Sequence, residues 1–128
     1  MGLDSTTRTK EITFAHIDSG VPVDQEIHGT INVSYPGRYD SIVINAQIQN
    51  SNDNFNFTSL NGRKINYPYS RLAIMKDDLE NSTSIEFVAK TGHVPIGIFS
   101  TAKFRATIIQ EHKEIASDVR YIRLIRTP

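Results

Sequence analysis

Between residues 25 and 49, apolar and polar side chains alternate almost without a break. Ile27, Gly29, Ile31, Val33 and Tyr35 share one face of an extended chain, and Glu26, His28, Thr30, Asn32 and Ser34 share the other. After "PGRYD" the pattern resumes, with Ile42, Ile44, Ala46 and Ile48 opposed to Val43, Asn45, Gln47 and Gln49. A period of two with one wet side predicts antiparallel strands. Pro36 and Gly37 suit the centre of a turn, so the two strands meet either in a direct hairpin or at a corner between two sheets. On this reading Pro36 supplies a fixed φ, Gly37 a positive one, and the loop is a connection with Tyr39 as its sole candidate anchor. Gly29, inside a strand pattern, marks a bulge or the close approach of another backbone.

The same logic divides the rest of the chain. "KEITFAHI" reads as a first strand that ends at the turn signal "DSGVP". The Asn-rich middle carries a strong turn at Asn61-Gly62, and Phe55, Phe57 and Leu60 predict a short edge strand before it. "RLAIM" is a short apolar run, and "KDDLENST" a charged loop or single helical turn. "SIEFVAK" alternates through Ile85, Phe87 and Ala89, "TGHVPIGIF" is a connection broken by Gly and Pro, and "AKFRATIIQ" aligns Phe104, Ala106 and Ile108. "EHKEIASD" reads as a polar turn. In "VRYIRLIR", Arg120, Arg123 and Arg126 are spaced by three, which on a helix would form one basic stripe. Its β-branched content and short length favour a strand.

Seven to nine short strands and no long helix predict an all-β fold, a β-sandwich or an open barrel, with a single antiparallel β-sandwich of the immunoglobulin-like kind as the leading form. The boundaries are a flexible segment at residues 1–9 and one domain at 10–128. Length agrees: 128 residues can bury a core worth about 5–15 kcal/mol of net stability. The formal charge is zero, so no global field draws in nucleic acid, which is an unlikely main partner. Cysteine is absent, which removes disulfides and thiolate metal sites and suits a cytoplasmic setting. No run approaches the length of a membrane-spanning helix. "MGLDST" fits the myristoylation pattern at Gly2, but Met-Gly is also a common start and the neighbouring charge is mixed.

The order of features around Gly29, Ile31 and Val33, then Ile42, Ile44 and Ile48, resembles the opening of an arrestin-type sandwich, the fold of arrestins and Vps26-type retromer subunits. Phe87, Pro95, Phe104, Ala106 and Ile108 are similar to that family's later strand pair. The resemblance covers roughly residues 10–126 and implies a protein-binding adaptor or scaffold. A second such sandwich and a polar core of buried charges, both features of arrestins, have no counterpart in the sequence.

Candidate chemistry is thin. No "G-x-S-x-G" motif occurs, and Asp77, Asp78 and Glu80 read as solvated acids of a loop. His16 and Asp18 would share a strand face but lack further metal ligands, and His93 sits in a loop. Glycine-rich phosphate loops are missing, and the sequons at Asn32, Asn56 and Asn81 match what chance supplies in an Asn-rich chain. Lys103, Arg105, Lys113, Arg120, Arg123 and Arg126 gather toward the C-terminal end, where edge charges that deter strand pairing are the plain explanation. Tyr67 and Tyr69 flank Pro68 in a packed loop. The expectation is a non-enzymatic interaction, adaptor or scaffold module with no cofactor and no metal. It would bind a protein or itself through an exposed strand edge, with Arg120, Arg123, Arg126, Phe55 and Phe57 as candidate contacts. The alternatives are a small OB-like barrel holding single-stranded nucleic acid through "KFRATII" and "VRYIRLIR", and a secreted or virion structural sandwich.

Overall fold

The computed structural model describes residues 11–79 and 82–126. The expected flexible segment 1–9 with Gly2, together with Glu80 and Asn81, lies outside the described residues. Ten strands form two facing five-stranded sheets. One has the order β1 (Ile12–Ile17), β3 (Ile27–Val33), β8 (Ser84–Lys90), β5 (Asn56–Leu60), β6 (Arg63–Tyr67). The other runs β2 (Gly20–Pro22), β10 (Lys113–Ile125), β9 (Phe99–Gln110), β4 (Ser41–Ile48), β7 (Arg71–Met75). A single 3₁₀ turn, Lys76–Leu79, follows β7. The all-β sandwich expected from the alternation is the fold observed.

The predicted inward residues make the core. Ile27, Ile31, Ile42, Ile44, Ile48, Ile85 and Ile108 are fully buried, as is a cluster of phenylalanines. Phe87 stands at its centre, 6.0 Å from both Phe57 and Phe104, and Phe55 meets Phe104 edge-on at 5.2 Å. Phe87 also explains Gly29. The two are cross-strand partners, and a Cβ at position 29 would lie 2.4 Å from the Phe87 ring. The close approach is by an aromatic ring rather than a backbone, and the glycine makes room for it.

Four expectations need correction. The segment "DSGVP" is not only a turn: Gly20–Pro22 pairs in parallel with β10, so the chain steps from one sheet to the other between β1 and β2. β5 is not an edge strand, because β6 lies beyond it. The polar turn of "EHKEIASD" shrinks to Glu111 and His112, both at positive φ, and a hairpin forms around them. The fourth concerns "PGRYD". It is the corner between sheets, since β3 and β4 lie in different ones. Gly37, however, is not at positive φ; it is small because the Tyr35 ring passes 2.6 Å from where its Cβ would sit. Tyr39 turns into the core, where burial pushes its phenol pKa up, and Lys76 covers the ring at 4.6 Å. "VRYIRLIR" is strand throughout its described length up to Ile125.

Candidate interaction surface

A sandwich recognises partners through its strand edges and its end loops, and those of this protein differ in what they leave open. The β1 edge is closed from the side. A bulge after Phe14 breaks its register with β3. The buried Asp118 of β10 accepts the Phe14 N–H at 2.9 Å and the Thr13 hydroxyl at 3.2 Å. Arg120 donates to the Phe14 carbonyl at 3.0 Å and stands 3.4 Å from Asp118. β2 is three residues long and ends at Pro22. β6 lines its edge with the exposed Arg63 and Lys64. β7 is the undefended one. Bonds from Ala46 N to Ser70 O and from Lys76 N to Asp40 O set the phase of its ladder. Leu72 and Ile74 therefore bond to β4, and the backbone groups of Arg71, Ala73 and Met75 point off the sheet.

The larger anomaly lies in the connection 91–98 between β8 and β9. Ile96 is 97% exposed, Ile98 81% and Val94 65%, with the half-exposed Phe99 following them. Pro95 and Gly97 prevent these residues from entering a strand, so their apolar side chains stand in water at one end of the sandwich. Nevertheless the loop is held. His93, its side chain only 10% exposed, donates from Nδ1 to Asp53 Oδ2 at 2.7 Å, and its Nε2 is hydrogen-bonded with the Ser100 hydroxyl at 2.8 Å. Thr91 is buried and donates to the Asn54 carbonyl at 2.9 Å. On the far side Arg126 donates to the Ile96 carbonyl at 3.1 Å, and Arg123 stacks on the Phe99 ring at 4.7 Å.

The chain Asp53–His93–Ser100 has the connectivity of a hydrolase triad. In the fold the three residues form a latch that ties the connection 91–98 to the loop before β5 and to the start of β9. The hydrogen bond from His93, with a second from the Ser51 hydroxyl, holds the Asp53 carboxyl below its usual range.

The other sequence candidates separate. Phe55 and Phe57, expected as contacts, are 1% and 0% exposed; they belong to the core and cannot touch a partner of the folded protein. Arg120, Arg123 and Arg126 form no common stripe, because a strand sends neighbours to opposite faces. Arg120 is engaged in closing the β1 edge, while Arg123 and Arg126 border the apolar loop. Of the rival nucleic-acid segments, Phe104 is buried and Arg105 forms a two-pronged pair with Glu114 at 2.6 and 2.9 Å. His16 meets Asp18 at 3.0 Å, and Asp18 also accepts the His28 N–H at 2.8 Å. Burial pushes the Asp18 carboxyl up, but these bonds outweigh it and leave the pKa lowered. Among the described residues no group of three metal-ligating side chains gathers, and no helix is long and apolar enough to cross a membrane.

Two features escaped the sequence reading. Val94, Ile96 and Ile98 signalled themselves as large apolar residues in a segment broken by Pro95 and Gly97. Asp118 signalled itself as an acid at an inward position of β10, in register with Ile122 and Leu124.

No protein-family model and no curated protein matches the sequence. Solved structures do match in shape. A conjugative transposon lipoprotein from Bacteroides eggerthii superposes with a TM-score of 0.50 at 7% identity, over 88% of this chain and 93% of that one. The CFA/I adhesin CfaE of enterotoxigenic E. coli gives 0.51 at 10% identity, over 93% of this chain and 48% of the adhesin, so the chain spans about half of that protein's length. At such identities the likeness is one of fold: a β-sandwich.

Proposed function

We propose that this protein is a non-enzymatic recognition module whose contact element is the apolar loop 94–99, docking into an apolar pocket on a protein partner. The observation that carries the reading is the exposure of Ile96, Ile98 and Val94 on a loop whose base is pinned by His93. Large apolar side chains left in water are the signature of a contact surface. A loop already ordered before binding loses less conformational entropy when it docks, which raises affinity without new contacts. The test compares the wild type with an Ile96→Ser/Ile98→Ser double variant as bait in extract of the native host. The wild type is expected to retain a specific protein that the variant loses while its circular dichroism is unchanged. Equal recovery by both would refute the loop as the contact element.

A second reading is favoured by one observation, the outward N–H and C=O groups of Arg71, Ala73 and Met75. An extended peptide, or β7 of a second copy, adds there as a further strand. Ala73→Pro separates this from the first reading. Its N–H makes no ladder bond, so the fold should survive while strand addition is blocked.

A further inference from the structure

The charges of this neutral chain are not evenly placed. Side chains projecting outward from β4, β9 and β10 include Lys103, Arg105 and Arg123. The one carboxylate among them, Glu114, is taken up by Arg105 at 2.6 Å. The rest of this face is therefore positive. Next to the remaining cations lies a shallow cavity of about 250 Å³ lined by Gln47, Gln49, Asn50, Thr101, Lys103 and Tyr121. The strand register builds it: Gln47 pairs with Lys103 and Lys103 with Tyr121, while Arg123 pairs with Thr101 in the next row.

The chemistry of that lining is specific. Tyr121 is 64% exposed on an inner strand of its sheet, a position where its ring can serve as a platform. Around it stand amides that both donate and accept, a hydroxyl and an ammonium group. Among the described residues none makes a hydrogen bond to these side chains, so their polar capacity is open to a ligand. An aromatic face packs against the C–H face of a sugar ring, amides pair with its hydroxyls, and a lysine pairs with a carboxylate. We propose that this face binds an anionic saccharide, with Tyr121 beneath a sugar ring, Gln47 and Gln49 on its hydroxyls and Lys103 on its carboxylate. The cavity is smaller than the ~300–1,000 Å³ of sites for drug-sized ligands, which suits one or two sugar rings at the tip of a longer chain. A single-stranded nucleic acid would meet the same cations, but such sites stack successive bases on several aromatics. This face offers Tyr121 alone inside the cavity.

The test is an amide chemical-shift titration with methyl β-D-glucuronide and methyl β-D-glucoside, two sugars that differ at the carboxylate. At about 50 mM, enough to fill a site of millimolar Kd, the glucuronide should shift the amides around Gln47, Lys103 and Tyr121. It should bind about tenfold more tightly than the glucoside, as expected for a hydrogen bond to a charged group. Lys103→Ala should bring the two sugars level, and Tyr121→Ala should weaken both; each change is on the surface and should leave the spectrum otherwise intact. Absence of shifts with either sugar, or equal affinity for the two in the wild type, would overturn the proposal. Tighter binding of an oligothymidylate on the same amides would replace it with a nucleic-acid site.

Discussion

Two loops of this protein carry the same breakers and opposite contents. The corner 34–40 contains Pro36 and Gly37, and its aromatic residues fold inward: Tyr39 is buried and Tyr35 packs beside it, ring centres 6.4 Å apart. The connection 91–98 contains Pro95 and Gly97 and turns its apolar residues out, with Ile96 almost wholly exposed. Proline and glycine determine that a chain bends; they do not determine which way its side chains then face. In the corner the bend joins two sheets, so the residues after it are already over the core. In the connection the hydrogen bonds of His93, Thr91 and Arg126 hold the backbone down and leave the aliphatic tips no apolar neighbour to fold against.

The sharpest way to break this contrast is truncation at each tip. Tyr39→Ala should cost about 3 kcal/mol, the usual effect of removing a buried aromatic ring, read from urea denaturation. Ile96→Ser should stay within about 0.5 kcal/mol, because its side chain touches little but water. A large loss at Ile96 would show that the loop folds back in solution. Next comes the latch. His93→Ala removes a nearly buried ring and its two hydrogen bonds, and should cost roughly 1–2 kcal/mol. Amide exchange across 91–98 should accelerate while the rest of the sandwich is unchanged.

The glycines give a cleaner pair. Gly37→Ala brings a Cβ against the tip of the Tyr35 ring, the far end of a partly buried side chain that must shift, for about 1–3 kcal/mol. Gly97→Ala meets nothing within 4 Å, and should be neutral or stabilising by about 0.5 kcal/mol through a less flexible unfolded chain. Smallest is the pH effect. The Asp53 pKa is depressed in the folded state, so its contribution is present above the unfolded value near 3.8 and fades as pH falls through the folded one. Exchange in 91–98 should therefore rise selectively in that acid range, and Asp53→Asn should remove the dependence.

The strands were legible because alternation with one apolar side reports burial directly, and Ile27 to Ile48 landed as expected. β2 was not, since a three-residue parallel pairing depends on β10, a hundred positions away in sequence, and Gly20 and Pro22 look like turn residues. Phe55 and Phe57 read as an edge because nothing local reveals that β6 folds back outside them. The residues behind the arrestin resemblance, from Ile31 to Ile108, are core positions, and core positions speak of packing more than of partners. The apolar loop was visible in composition, yet its exposure could be known only once the strands around it were placed. The latch joins residues from 53, 93 and 100, and the β1 closure joins 14 with 118 and 120; such pairings exist only once the sheets have formed.

The contrast between the two loops is tested most directly by photo-crosslinking. p-Benzoylphenylalanine is placed at position 96 in one sample and at position 38, the exposed tip of the corner, in another. Both are irradiated in extract of the native host. A discrete crosslinked protein is expected from position 96, diminished by Ile98→Ser, and background alone from position 38. A crosslink from position 38 with none from position 96 would contradict the contrast.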